Sequence, residues 1–455
     1  MKFMLILIIF ISLNLQANEP YQFFKEAPVY KASYKTNDYK KLMGKLHELE
    51  IDVAGVDYKN SIIDVLLNSE ELSLLIEKNL EPEIHWVNGV SLNNFVDEGY
   101  KTSKEVEEFL KEMSRSYSDI AELVEIGKSV EGRSIWALKI SDDVAVKDLT
   151  EPSILFNSMH HAREIMSPEV SIDIIEYLLQ GYSTDSKVKA WVDSNEIWVI
   201  PMLNVDGNSK VWNGDSMWRK NTRNGYGVDL NRNYPFNWNS CNGSSGFQFS
   251  PTYRGPKPAS EPETQALMTL VEKIKPVFDI SYHSYSELVL YPYGCKNDTS
   301  GSNDSMEIIG KELGAVLGYE AGTPWEILYE ADGSDIDWML GEHQVIPYVI
   351  ELNSRSEGFQ PSYSSTRDKT VKLNRKAWQL LLDRLNGPGL RGVLPNFSGQ
   401  AYVKVFKGSQ LIQNYRVNPD GSFHIILSPG DYRVASDRFD SLEVSIGRER
   451  QDLAL

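Results

Sequence analysis

Positive charge is scarce in this chain. Its 455 residues carry 46 Lys and Arg against 64 Asp and Glu, for a formal net charge of −18. A nucleic-acid partner needs basic patches to meet phosphate, so this balance argues against that class and otherwise reads as a solubility property. Long apolar runs are absent beyond the N-terminus. Only Phe3 to Leu15 is nearly all apolar, and it is too short for a comfortable bilayer span. Met1-Lys2 precedes it, and Gln16, Ala17 and the polar Asn18-Glu19-Pro20 follow, which is the form of a secretory signal cleaved near Ala17. With no cysteine near that point, a lipid-anchored product is not expected. The mature chain is expected to be secreted or periplasmic, with no membrane span. Cysteine is limited to Cys241 and Cys295, which could pair in an oxidising compartment; the distance between them is open at this level. No repeat or low-complexity tract occurs, and histidine numbers only seven, so a metal site has few candidates.

What is present is globular composition, 41% hydrophobic and 24% charged, in a chain long enough for two or three domains. After the signal (1–17), a first unit spans 18–94. Val29 to Tyr34, Ile51 to Tyr58 and Ile62 to Leu67 read as strands, with helices over Asn37 to Glu48 and from Ser69, a candidate N-cap followed by Glu70 and Glu71. A second unit spans 95–386. There a helix at Thr102 to Tyr117 is followed by short apolar strands, Ile154 to Phe156, Glu196 to Met202, Val277 to Tyr282 and Tyr348 to Ile350, alternating with amphipathic helices such as Glu169 to Leu179 and Glu261 to Ile274. That alternation predicts an α/β fold with a mostly parallel sheet covered on both faces, whose sites gather at strand C-terminal ends. A third unit, 387–455, opens at the breaker Gly387-Pro388-Gly389 and continues as short strands separated by Pro419-Asp420-Gly421 and Pro429-Gly430-Asp431, predicting a small β-sandwich.

Strand ends in the second unit carry polar clusters that a core would not select. In His160-His161-Ala162-Arg163-Glu164, a His and a Glu three residues apart can turn toward one point and offer an imidazole nitrogen and a carboxylate oxygen. Zinc accepts both and needs a third ligand, often a remote His; His283, beside the strand Val277 to Tyr282, is the candidate. Each feature alone is as compatible with a surface pair or a hydrogen-bonded structural histidine.

Further segments change that balance. His161-Ala-Arg-Glu164, Asn204-Val-Asp-Gly207, Trp218-Arg-Lys220, Val228-Asp-Leu-Asn-Arg-Asn233, Tyr253-Arg-Gly-Pro256, Ser260-Glu-Pro-Glu-Thr264, Tyr282-His-Ser-Tyr-Ser286, Leu290-Tyr-Pro-Tyr-Gly294, Tyr329, Ile336-Asp-Trp338 and Glu351-Leu352 occur in this order over about 100–386. In this the chain resembles zinc metallocarboxypeptidases of the pancreatic carboxypeptidase A type, whose fold is a mixed, mainly parallel sheet flanked by helices. The resemblance implies one Zn2+ per chain held by His161, Glu164 and His283, with a position left for water. It implies that Glu351 is the general base, that Arg219 polarises the scissile carbonyl, and that Asn231, Arg232 and Tyr329 grip the substrate's terminal carboxylate. Arg163 matches an outer anion-binding residue and Asp229 an acid that orients the first His; His160 has no assigned role.

The implied activity is hydrolysis of the C-terminal peptide bond of peptides and proteins. Ile336 stands where apolar-preferring relatives carry an apolar residue, and Gly294 where a basic-preferring branch carries an acid, so apolar or aromatic terminal residues are expected. Asp335 and Asp332 lie near enough in sequence to favour Lys or Arg if either faced the pocket. Two departures from the pancreatic pattern stand out: Phe249 occupies the position of the second cysteine of a common disulfide, leaving open whether Cys295 substitutes, and Asn353 replaces the Arg after Glu351-Leu352. By position and element order, 18–94 resembles a pro-domain of a zymogen released by an activating protease, and 387–455 a transthyretin-like or regulatory-like domain. A monomer acting on peptide C-termini is expected.

Overall fold

Four segments rich in Ile, Val, Leu and Tyr pack side by side and are buried almost throughout: Ser153–Ser158, Glu196–Ile200, Phe278–Ser284 and Ile346–Leu352. Strands covered on both faces need no polar alternation, and all four run parallel. The computed structural model describes residues 29–88, 96–296, 298 and 304–453; the expected signal at 1–17 lies outside them.

These four strands form the centre of an eight-stranded sheet. Its order is Glu320–Gly322, Leu288–Leu290, Ile346–Leu352, Phe278–Ser284, Ser153–Ser158, Glu196–Ile200, Ser134–Ile140 and Ala121–Lys128. Pairing turns antiparallel between Leu288–Leu290 and Ile346–Leu352 and across the two strands at the far edge, so the sheet is mixed, as the family resemblance implies. The strand Ala121–Lys128 was not evident from periodicity because an interrupted, half-exposed pattern runs along it. The helices Ser103–Ser116, Ser167–Gly181, Pro262–Ile274 and Tyr363–Leu385 pack on the sheet around Phe156, Phe278, Trp338 and Trp378, all fully buried. Two expectations are corrected at the strand ends. Phe278–Ser284 and Ile346–Leu352 run past their apolar portions, so His283 lies inside its strand, in register with Glu351. Backbone pairing continues there because it does not depend on side-chain polarity.

Before this body, Asp52–Asp57, Ile62–Leu67, Val29–Lys35 and Glu83–Asn88 form an antiparallel sheet in that order, with helices Tyr39–Glu48 and Ser69–Glu77. The last strand was not foreseen. The second helix is capped by Asn68 rather than Ser69: the Asn68 side chain accepts from Glu71 N at 2.8 Å and the Glu71 carboxylate accepts from Asn68 N at 2.7 Å. Leu46, Ile63, Val65 and Leu75 form the unit's core, and that core continues into Leu290, Leu328, Ile336 and Val349 of the large body.

After it, Ser422–Ile426, Gly389–Val393 and Arg450–Leu453 form one small sheet, and Gln410–Arg416, Tyr402–Lys407, Gly430–Ser436 and Leu442–Ile446 a second. They enclose Val403, Val405, Phe423, Ile425 and Val434. Gly389 begins a strand rather than only breaking one; a Cβ there would stand 2.3 Å from the Ile425 carbonyl oxygen. Among the described residues no helix is long and apolar enough to cross a membrane.

Cys241 and Cys295 are bonded to each other, with Cα atoms 5.8 Å apart and 54 positions of separation. The bridge ties the 241–251 loop to the segment following Leu288–Leu290. A loop of this length predicts that the double Cys241→Ser, Cys295→Ser variant loses about 2–4 kcal/mol of stability, measured by denaturant unfolding without reductant.

Candidate metal centre and substrate cleft

The chain leaves Ser153–Ser158 through Met159, fully buried with φ of 62°, a left-handed conformation that is strained for a non-glycine residue. This turn brings His161 and Glu164 under the end of Phe278–Ser284. His161 Nδ1 lies 2.8 Å from Glu164 Oε1, His283 Nδ1 lies 3.0 Å from Glu164 Oε2, and the two Nδ1 atoms are 3.1 Å apart. All three side chains are buried. Burial alone would raise the Glu164 pKa, but the two imidazoles hold its carboxyl well below the ordinary range. Burial opposes charge on His283, yet Glu164 dominates and raises it to about 8.

Two ring nitrogens and a carboxylate converging at this spacing form a donor set suited to a divalent cation, and zinc accepts both types. The far side of His161 agrees, and that of His283 differs. Asp229 Oδ1 lies 3.1 Å from His161 Nε2, the usual carboxylate support behind a metal-binding imidazole. His283 Nε2 is buried without a hydrogen-bond partner among the described residues.

Glu351 sits beside His283 on the neighbouring strand and is partly open to the cleft. Burial of its carboxyl, reinforced by Glu164, pushes its pKa up to about 8. Arg219 lies on another wall. Its Nη2 and Nε donate to Asp229 Oδ2 at 2.9 and 3.2 Å, and its Nη1 is 3.9 Å from Glu164. Asp229 thus braces both His161 and Arg219; burial would raise its pKa, but these two neighbours hold it well below its ordinary value.

Asn231 and Arg232 follow Asp229 in a short 3-10 turn. Asn231 Oδ1 accepts from Asp335 N at 2.9 Å; Arg232 donates to the carbonyls of Gly243 and Asn231 and faces the Tyr329 ring at 5.8 Å. Ile336 is buried among Leu290, Leu328 and Val349. Asp332 Oδ2 is engaged by the backbone N–H groups of Ser240, Cys241 and Gly243, and Asp335 Oδ1 accepts from Ile336 N.

Arg163 is the candidate placed differently from the others. Its guanidinium faces the N-terminal unit, bonded to both oxygens of Asp52 at 2.5 and 3.0 Å, and lies 4.3 Å from the Phe359 ring centroid. His160, read from the sequence as a neighbour of the ligands and not one of them, stands outside the group of candidate ligands. Its ring stacks on His283 with centroids 5.4 Å apart, and its nitrogens reach Tyr234 Oη at 2.9 Å and Ser281 Oγ at 3.3 Å. Adjacency to His161 was the only signal for it. The space at the candidate metal centre is about 20 Å³, bounded by His161, Glu164, Arg219, Ser284, Tyr285, Leu328, Tyr329, Glu351 and, from the N-terminal unit, Ala54 and Gly55. A larger cavity of about 610 Å³ opens beside it between the N-terminal unit and the 239–254 loop.

Comparison with known proteins identifies the family. The family model described as zinc carboxypeptidase matches residues 106–376. A zinc carboxypeptidase of Saccharothrix mutabilis subsp. capreolus is 34% identical over 306 residues, covering 62% of this chain and 69% of that one. Zinc carboxypeptidase A 1 of Anopheles gambiae is 32% identical over 297 residues, covering 61% and 66%, and human carboxypeptidase O is 29% identical over 320, covering 66% and 83%. The crystal structure of carboxypeptidase A from Helicoverpa armigera shares the fold at a TM-score of 0.66 and 23% identity, over 78% of this chain and 96% of that one. The family match spans more than half of the residues and contains the whole His161, Glu164, His283 and Glu351 constellation, so the chain belongs to the zinc carboxypeptidase family of metal-dependent hydrolases.

Proposed function

We propose that His161, Glu164 and His283 hold the zinc and that Glu351 is the general base of peptide hydrolysis at a substrate's C-terminus. The observation that carries this is the convergence of both Nδ1 atoms on the Glu164 carboxylate, with Glu351 in register beside His283. When bound, zinc supplies a Lewis acid that polarises a carbonyl oxygen and lowers the pKa of water toward about 7. A bound cation beside Glu351 would favour its carboxylate form, and as the carboxylate it accepts the proton of the attacking water. Arg219, fixed by Asp229, offers positive charge where the carbonyl oxygen becomes negative. Asn231, Arg232 and Tyr329 grip the terminal carboxylate, which restricts cleavage to the last residue; the planar fork of Arg232 suits a carboxylate. Glu351→Gln is expected to lower kcat by about 10²–10⁴-fold with metal content unchanged by atomic absorption. A chelator should abolish activity and zinc should restore it. Near-wild-type turnover of Glu351→Gln would remove Glu351 from the mechanism.

The preferred terminal residue is apolar or aromatic. Support comes from Ile336 lying among Leu290, Leu328 and Val349; of Asp332 and Asp335, the two acids that could attract a basic residue, one oxygen each is engaged by backbone N–H groups. Peptides ending in Phe should exceed those ending in Arg by at least about tenfold in kcat/KM, the effect of some 1.4 kcal/mol. A preference for Arg would defeat this reading.

Residues 18–94 act as a pro-segment, and an activating protease releases the mature enzyme. The supporting facts are that Ala54 and Gly55 close the space at the metal centre to about 20 Å³, room for little more than a water molecule, and that Asp52 occupies Arg163. Nicking the folded chain between 88 and 96 should raise kcat/KM on a neutral peptide by more than about tenfold. Equal rates before and after nicking would sink the pro-segment. Export follows from the apolar run Phe3 to Leu15 and suits the bonded cysteines. The 387–455 unit is read as a transthyretin-like stabilising domain, held to the catalytic body by Lys147 with Asp420 and by Arg391 with the Thr150 carbonyl. The enzyme is expected to act as a monomer with one zinc.

A further inference from the structure

The N-terminal unit sets two carboxylates against arginines of the catalytic body. Asp52 is bonded to Arg163. Asp64, fully buried on the strand Ile62–Leu67, is bonded to Arg355 through Nε at 2.9 Å and Nη2 at 2.7 Å, and accepts from the Tyr285 hydroxyl at 3.1 Å. Among the described residues, every side-chain hydrogen bond of Arg355 goes to the N-terminal unit, to Asp64 and to His85. The acid in its own loop, Glu357, is already engaged by Ser354 and Lys369. Arg355 therefore belongs to the catalytic body but is answered only by the unit that covers it.

Its position ties it to the reaction. Tyr285 lines the space at the metal centre together with Glu164 and Glu351. The Tyr285 ring packs edge-on against Phe359 at 4.8 Å, and Phe359 carries the Arg163 guanidinium on its face. Contacts thus run from the candidate metal centre through Tyr285 and Phe359 to Arg163, while Tyr285 and Arg355 converge on the same Asp64 carboxylate. In the proposed function the terminal residue is held by Arg232 and Tyr329, and Tyr285, which lines the same small space as Tyr329 and Glu351, is left to meet the residues preceding the scissile bond.

We infer that Arg355 and the Tyr285 hydroxyl form a subsite for an acidic side chain of the peptide upstream of the bond cut, and that Asp64 occupies this subsite in the covered enzyme. The inference rests on the reading of residues 18–94 as a releasable cover. A guanidinium fork with an adjacent hydroxyl donor is chemically selective: it accepts a carboxylate by charge-assisted hydrogen bonds and repels a lysine. It sits on an otherwise strongly acidic protein, so an acidic peptide gains nothing from the overall field and depends on this local pair.

The test uses the full-length chain, folded and then nicked between 88 and 96, with the N-terminal unit separated. Peptides ending in Phe carry Asp, Ala or Lys in turn at each of the three positions preceding the scissile bond. At one of these positions Asp should exceed Ala by about tenfold in kcat/KM, the scale of one charge-assisted hydrogen-bonded pair, and Lys should fall below Ala. In Arg355→Ala the Asp-to-Ala ratio should drop to about one, and Arg355→Lys, which keeps charge but loses the fork, should retain part of it. An Asp-to-Ala ratio near one at every position in the wild-type enzyme, or an undiminished ratio in Arg355→Ala, overturns the subsite. A rise in rate on nicking without any acid preference overturns the subsite alone. Equal rates of intact and nicked enzyme on the Ala peptide overturn the cover and the subsite with it.

Discussion

The interaction on which the rest depends is the meeting of His161 Nδ1 and His283 Nδ1 at 3.1 Å, with Glu164 within 3.0 Å of each. Two imidazoles pointing ring nitrogens at one another in a buried space gain little from each other. They can share that space well only around a positive charge, a proton or a metal ion, balanced by the carboxylate. Desolvation works against each charged group separately, so the arrangement needs a scaffold that does not let any of the three turn away. The parallel sheet provides it. Phe278–Ser284 delivers His283 at its end, its neighbour delivers Glu351 in register, and the strained turn at Met159 aims His161 and Glu164 beneath them. Asp229 then closes the arrangement by holding His161 from behind and Arg219 at the side.

The chain is strongly acidic, and the arginines at and around this centre, Arg163, Arg219, Arg232 and Arg355, are each matched by a carboxylate or by carbonyl oxygens. They divide by how they are answered. Arg219 and Arg232 are satisfied from within the catalytic body, by Asp229 and by backbone carbonyls, and are thereby fixed in place. Arg163 and Arg355 are answered by Asp52 and Asp64 of the N-terminal unit. Apolar contact adds area, because the core of that unit continues into the wall formed by Leu328, Ile336 and Val349. The charge pairs add orientation, because each demands one geometry from both oxygens.

Local features were legible in the sequence and distant ones were not. His161 and Glu164 are three residues apart, and Asp229, Asn231 and Arg232 lie in one turn, so their chemistry is written in short strings. The central strands were legible because burial on both faces leaves continuous apolar runs. Ala121–Lys128 was not, since its half-exposed pattern lacks a clean period. The cap at Asn68 was assigned one residue late because Ser and Asn are both good caps and only the backbone conformation separates them. Arg163 with Asp52, Arg355 with Asp64, and Cys241 with Cys295 depend on how separate pieces dock. No local pattern encodes that, and the partners are 111, 291 and 54 positions apart.

Beneath the metal centre lies a set of polar residues that hydrophobic packing alone would not select. Asp279 Oδ1 accepts from Asn157 Nδ2 at 2.9 Å, Asn157 Oδ1 accepts from Ser281 Oγ at 3.1 Å, and Ser281 Oγ lies 3.3 Å from His160 Nδ1. These residues sit on adjacent central strands or just beyond one, fully buried in a region where Val or Leu would cost less. Burial, together with Asp335, pushes the Asp279 carboxyl well above its ordinary range. Burial likewise pushes His160 down to about 4, leaving its ring neutral where it stacks on His283. A neutral, hydrogen-bonded ring beneath His283 restrains its tilt without competing for the carboxylate that the metal site requires. The polar core is therefore explained by the orientation it imposes on His283: apolar side chains could fill the same volume but could not hold His160 to one rotamer.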